Sequence, residues 1–343
     1  MSQRSLWVHC ASLLLFVAGC GSGDNSTAAP PKHDGGTTGA SGHKASATDA
    51  GVTKRRVDAE VPAGAGEGLV SDYLADAGDG WMSLIQAHWI LAASSEQYRC
   101  ARVTATQDVA VHTFRAVSPL GTHHTVLTVT RQPTEPDGLT VCSVSTNAPG
   151  MLSGSGVGTN DFTLPDGVAV KVHKGEQLLI NLHLFNVSDH QIEGTSGTLV
   201  QTIADDQIVH EAEAILAGPV SLNIPAHTTD VVQTGSCTMT QDATLIGVGA
   251  HAHMHATHVK VTAHSTIAGD VVIHDGDYSF DSQLVYSIDP LQVMKGDKVD
   301  VTCTYDNNGD KPISFGDSSL AEMCFAGLIR YPVDTSTNFL CTH

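Results

Sequence analysis

The sequence predicts an all-β protein: two consecutive antiparallel β-sandwich, jelly-roll-like domains after a disordered linker. Three observations predict it. From about residue 95 onward, short runs of alternating apolar and polar residues recur between turn signals. Charged residues are only 15% of the chain while glycine occurs 33 times, a balance that suits short strands and many turns. No long amphipathic helical pattern follows residue 95.

Residues 109–114, 125–129, 177–184, 229–232, 259–261 and 298–303 read as strands. Pro136-Asp137-Gly138, Pro165-Asp166-Gly167 and Asn307-Asn308-Gly309-Asp310 supply turns between them. Residues 81–93 read as a short helix. The stretch from Gly218-Pro219 to Pro225 divides the region into an N-terminal sandwich, residues 95–222, and a C-terminal one, residues 223–343. No repeat of fixed period is present.

Ahead of these domains the chain changes character. Arg4 supplies a positive region, and residues 11–18 form an apolar stretch too short to span a bilayer stably. It ends in Val17-Ala18-Gly19-Cys20, which resembles a bacterial lipobox. Residues 1–20 are therefore expected to be a lipoprotein signal peptide, with Cys20 acylated. Residues 21–66 are rich in Gly, Ser, Thr, Ala and Pro without hydrophobic periodicity, as in a flexible tether. Gly21 after the acylated cysteine favours the outer membrane of a Gram-negative cell envelope. The lipid anchor is then the chain's only expected tie to a membrane.

The formal net charge is −19, which repels phosphate backbones and argues against a nucleic-acid partner. Of eight cysteines, Cys10 lies in the signal and Cys20 carries lipid. Cys100, Cys142, Cys237, Cys303, Cys324 and Cys341 remain, an even count that outside the cytoplasm implies disulfides. The sequence alone leaves their connectivity open. No HExxH, GxSxG, Walker or strand-linked GxGxxG motif is present.

The 19 histidines are the unusual feature. Ala250-His251-Ala252-His253-Met254-His255-Ala256-Thr257-His258 places three histidines at alternate positions. On a strand they share one face, with neighbours two apart roughly 7 Å from each other, close enough to converge on a metal. His123-His124 is a weaker signal, since adjacent strand residues face opposite ways. The pair can chelate together only where the backbone is kinked or a strand begins, which Gly121 permits. His183, in the apolar run 177–184, supplies a possible third imidazole. Met323, in Ala321-Glu322-Met323-Cys324, adds a thioether, a donor that favours soft Cu(I), while imidazole serves both copper states.

These motifs together resemble the copper type II, ascorbate-dependent monooxygenases, among them peptidylglycine alpha-hydroxylating monooxygenase and dopamine beta-monooxygenase. The resemblance runs from about Cys100 to Cys341. It rests on the His123-His124 segment, on Asn181-Leu182-His183-Leu184, on residues 253–261 and 296–305, on Glu322-Met323-Cys324 with Tyr331-Pro332, and on residues 339–342. It implies two copper ions per chain. His123, His124 and His183 would hold an electron-supplying copper; His253, His255 and Met323 would hold the catalytic one, where O2 reacts. The implied reaction hydroxylates a C–H bond of a small-molecule substrate, with ascorbate or another reductant as electron donor. The resemblance also implies the disulfides Cys303–Cys324 and Cys237–Cys341, with Cys100 and Cys142 left to pair. His251 falls where the peptide-hydroxylating enzyme has an arginine that holds its substrate carboxylate, so the substrate is not set by the resemblance. A non-catalytic copper-binding envelope lipoprotein is the alternative. A metal-free adhesion module, with structural histidines, is a third.

Overall fold

A computed structural model describes residues 66–342 except 134, 317, 337 and 338. The expected signal peptide, acylated Cys20 and all but the last residue of the 21–66 linker lie outside the described residues. The rest is all-β and almost wholly antiparallel, with one turn of 3-10 helix at Asp205–Gln207. The first half contributes β1 (Trp81–Leu91), β2 (Ser95–Thr104), β3 (Val109–Val117), β4 (Thr122–Thr130), β5 (Gly150–Gly156), β6 (Val168–Val172), β7 (Gln177–Asn186) and β8 (Ile192–Thr202). The second contributes β9 (Glu213–Ala217), β10 (Thr228–Thr238), β11 (Ala243–Ala252), β12 (Ala256–Ser265), β13 (Gly269–Asp277), β14 (Val285–Val293), β15 (Lys298–Asn307) and β16 (Cys324–Tyr331).

One sheet carries β1-β8-β3-β6 at its centre, and a separate sheet carries β10-β15-β12-β13. A long third sheet faces both, in the order β14-β11-β16-β9-β5-β4-β7-β2. It passes from one half of the molecule to the other through the pairing of β9 with β5, Ala214 opposite Met151. Leu84, Val111, Leu127, Ile180 and Leu182 pack into the first core; Val248, Val259, Val301, Tyr305 and Leu328 pack into the second. Strand β9 lies inside the 95–222 span, yet Ile215 and Ala217 belong to the second core.

The helix expected at residues 81–93 is instead strand β1. Its central residues are buried without interruption, so both faces of the strand are covered and the period-2 pattern is lost. Trp89 anchors it, donating its indole N–H to Ser196 Oγ at 2.7 Å. The first core therefore begins well before residue 95.

Three disulfides close the structure: Cys100–Cys142, Cys237–Cys341 and Cys303–Cys324. The second ties the end of β10 to the last short strand, Leu340–Cys341. The third ties β15 to the first residue of β16, directly after Met323.

Candidate metal centre

His123 and His124 open β4, and His183 lies opposite on β7. The register slips there. His183 pairs with His124 but Leu184 pairs with Thr122, which leaves His123 as an extra, bulged residue. The bulge turns two consecutive side chains toward one point, which a regular strand cannot do. Gly121, just before it, takes φ +101°, and a Cβ there would run into Trp89 and Ile192. The kink on which chelation by the pair depended is thus present.

The Nδ1 atoms of the three histidines meet. His123 lies 2.9 Å from His183, His124 3.2 Å from His123, and His183 3.4 Å from His124. All three rings are buried. His183 Nε2 sits 2.7 Å from the Glu96 carboxylate, an acceptor, so it donates there and its Nδ1 keeps the lone pair. Tyr98 stacks on the same ring at 4.4 Å. The Nε2 of His123 is buried without a partner. A metal ion among the three Nδ1 atoms would take a lone pair from each ring, and an all-imidazole set suits copper.

The second group is built differently from the expectation. His251, His253 and His255 do not share one strand face. Strand β11 ends at Ala252 and β12 begins at Ala256, so residues 253–255 form the turn between them. Met254 stands exposed at its tip, while His253 is fully buried. The Glu322 carboxylate shapes this turn. It accepts the backbone N–H of His253 at 2.9 Å, of His255 at 2.6 Å and of Met323 at 3.2 Å. One buried side chain thus fastens both histidines and the methionine to each other. The Tyr305 hydroxyl donates to the Met323 carbonyl at 2.7 Å and holds the same segment from behind.

Carbonyl oxygens fix the tautomers here. His253 Nδ1 donates to Ala321 O at 3.1 Å, and His255 Nδ1 donates to Asp306 O at 3.2 Å. Each Nε2 therefore carries the ring's lone pair, and that of His253 is buried without a partner. Met323 is itself nearly buried, and two imidazoles with a thioether are a donor set that fits copper in its reduced state.

The two groups adjoin. The rings of His123 and His253 are 5.8 Å apart, and His251 lies between the groups, 5.1 Å from His124 and 5.5 Å from His253. His251 Nδ1 donates to Gln283 Oε1 at 2.8 Å. Phe280 stacks on His123 at 4.3 Å. Burial, and secondarily repulsion among the imidazoles, pushes His123 down to about 2 and His253 down to about 3. His124 and His251 are lowered by the same causes. The rings are neutral at pH 7, the form that binds metal. Burial would raise the Glu96 carboxyl, but hydrogen bonds from Ser319 and His183 outweigh it and hold Glu96 ionised. Burial pushes Glu322 up to about 7 against its three N–H donors.

The structure brings together every histidine expected at the first site, and ties the backbones of His253, His255 and Met323 to one carboxylate, that of Glu322. Glu96, Glu322 and Gln283 are supporting residues that the motifs did not single out. Glu322 adjoins Met323 within the Glu322-Met323-Cys324 motif, so a signal existed. Glu96 gave none, because its partners His183 and Ser319 are remote in sequence.

Among known families, residues 210–343 match the model described as copper type II ascorbate-dependent monooxygenase, C-terminal domain. The matched span contains His253, His255, Met323 and the disulfides Cys237–Cys341 and Cys303–Cys324. His123, His124 and His183 lie upstream of it. No curated protein matches the chain.

Proposed function

We propose, since through residues 210–343 the chain belongs to the copper type II ascorbate-dependent monooxygenase family, that it hydroxylates a substrate C–H bond with O2 and a one-electron reductant such as ascorbate. One oxygen atom enters the product as an alcohol. The other leaves as water, with two electrons from the reductant and two protons. His123, His124 and His183 would hold one copper, and His253, His255 and Met323 the second. Copper so bound supplies electron transfer and O2 chemistry.

The residues of the chain do the positioning. Glu96 orients His183, and Glu322 sets the turn that carries His253 and His255 at the base of Met323. The packing of Phe280 on His123 and the burial of His253 keep water from these nitrogens. The observation that carries the reading is the Nε2 of His253: a buried lone pair with no partner, on a residue whose backbone N–H shares the Glu322 carboxylate with that of Met323. Attachment to the cell envelope through an acylated Cys20 belongs to the same proposal, supported by the Val17-Ala18-Gly19-Cys20 motif.

Met323→Ile tests the assignment. Copper bound per chain is expected to fall from two to one, and ascorbate-dependent O2 consumption to vanish. Retained turnover in the variant overturns it. Two coppers in the unaltered chain, with no ascorbate-dependent O2 uptake across a substrate screen, would instead leave a copper-binding envelope protein without catalysis.

A further inference from the structure

Beside the histidines the two halves of the molecule enclose a cavity of about 380 Å³. That volume falls within the range of small-molecule sites, roughly 300–1,000 Å³. Its walls come from two sheets: Phe114 and Val170 from one, Met151, Leu152, Leu216 and Phe325 from the long sheet, around the place where β9 and β5 pair. Three residues of the candidate metal centre reach its surface: His124 from the first group, Met323 from the second, and His251 between them.

The lining is mostly aliphatic and aromatic. Among the described residues that line it there is no lysine, arginine, aspartate or glutamate. A ligand carboxylate or ammonium buried there would lose its hydration and find no counter-ion. Its polar side chains are uncharged, and about half of them are the hydroxyls of Thr125, Ser145, Ser153, Ser155, Thr159 and Thr198. The Gln283–His251 pair lies at the metal-centre side, and Asn147 lies in the wall. Gln283 is fixed in turn: its side-chain amide donates to Phe280 O at 3.2 Å, and a Cβ on Gly156 would collide with it.

We infer that this cavity binds an uncharged, largely apolar molecule, with one end held against His251 and Met323. Apolar burial supplies the affinity, and Gln283 and His251 supply the polar contact. As the substrate class of the proposed hydroxylation, the inference rests on that reading; as a binding site it does not need copper.

The test uses the full chain, both copper-loaded and stripped by chelation, with the uncharged fluorophore N-phenyl-1-naphthylamine as probe. Saturable one-to-one binding is expected in both forms. Decanol should displace the probe at least tenfold better than decanoate or decylamine at pH 7. Ser153→Trp, at the cavity lining on β5, should weaken probe binding at least tenfold. Ser145→Trp, on an exposed loop at the lining, should do the same without disturbing a strand. Displacement by decanoate or decylamine as good as by decanol overturns the inference, as does unchanged probe binding in a Ser145→Trp chain of wild-type melting temperature. Selective decanol binding in a chain with no ascorbate-dependent O2 uptake upholds the cavity and counts against the monooxygenase. O2 uptake coupled only to charged substrates does the reverse.

Discussion

The rings of His123 and His253 lie 5.8 Å apart, although one residue sits on a bulged strand of the first sandwich and the other in a turn of the second. His251 fills the remaining gap by approaching both His124 and His253. The two candidate copper sites therefore share one buried imidazole field. A proton added to His123, His124 or His253 is opposed by desolvation and by its neighbours.

Acid should destabilise the copper-free protein for this reason. His123 is pushed down to about 2 and His253 to about 3, against an ordinary value near 6.5 in the unfolded chain. Between those limits the unfolded state binds protons that the folded state refuses, so stability falls as pH falls. Each such histidine contributes a slope of about 1.4 kcal/mol per pH unit. Glu322 works in the opposite sense. Its carboxyl is raised to about 7, so the folded state binds one more proton than the unfolded chain between about 4.5 and 7. The histidines outnumber it, and the net effect on going from pH 6 to pH 4 is a loss. Urea unfolding of the chelated chain measures this; a midpoint that rises on acidification would contradict the buried imidazole field.

Glu322→Ala should cost about 3 kcal/mol, because three backbone N–H groups lose a buried acceptor. Glu322→Gln is not a mild substitute. His255 uses Oε1 while His253 and Met323 share Oε2, so an amide NH2 must face at least one N–H. Both variants should lose the second copper and keep the first, read as metal per chain after dialysis. Full occupancy of both sites in Glu322→Gln would show that the carboxylate does not set the turn.

The sequence made the donor types legible, but not the backbone that aims them. The His123-His124 pair declared its own condition, a kink, and Gly121 was the visible sign of it. The turn at residues 253–255 was not visible. Alternating histidines in an apolar context read as a strand, and the carboxylate that bends them lies far along the chain at Glu322. Strand β1 was misread for a related reason, since burial of both faces removed the alternation that marks a strand. Long-range partners of this kind leave no periodicity to read. The all-β class, by contrast, rests on local alternation and turns, and that information is written within each segment.

Glu96→Ala should weaken copper binding by His123, His124 and His183 by roughly 10–100-fold, the usual effect of losing the group behind a ligating imidazole. Glu96 holds the His183 tautomer through Nε2 and also accepts from the Ser319 backbone N–H at 3.1 Å. Ser319 lies shortly before Met323, so the same carboxylate links the two sandwiches beside the metal centre. Both partners bond the same oxygen, Oε1, so Glu96→Gln can keep that acceptor for both while losing the charge, and should fall between the wild type and Glu96→Ala. Competition with a Cu(I) chelator gives the affinities. Equal affinity in all three chains would remove Glu96 from the site.

The Cys303–Cys324 disulfide joins β15 to the residue next to Met323 and spans 21 positions of sequence. Closing a loop of that size is worth about 3 kcal/mol through the unfolded state. Replacing both cysteines by alanine should lower the melting temperature accordingly, but its local effect is the more telling one. Met323 would keep Tyr305 and Glu322 as neighbours and lose the covalent tie that fixes its distance from the turn at residues 253–255. Copper bound by His253, His255 and Met323 should become labile to chelation, while the three-histidine site, supported by β4, β7 and Glu96, keeps its metal. The paired replacement of Cys100 and Cys142, which joins β2 to a loop of the first half, supplies the control: a comparable loss of stability with the second site intact. If both disulfide variants release copper from the same site at the same rate, the bridge beside Met323 contributes only global stability.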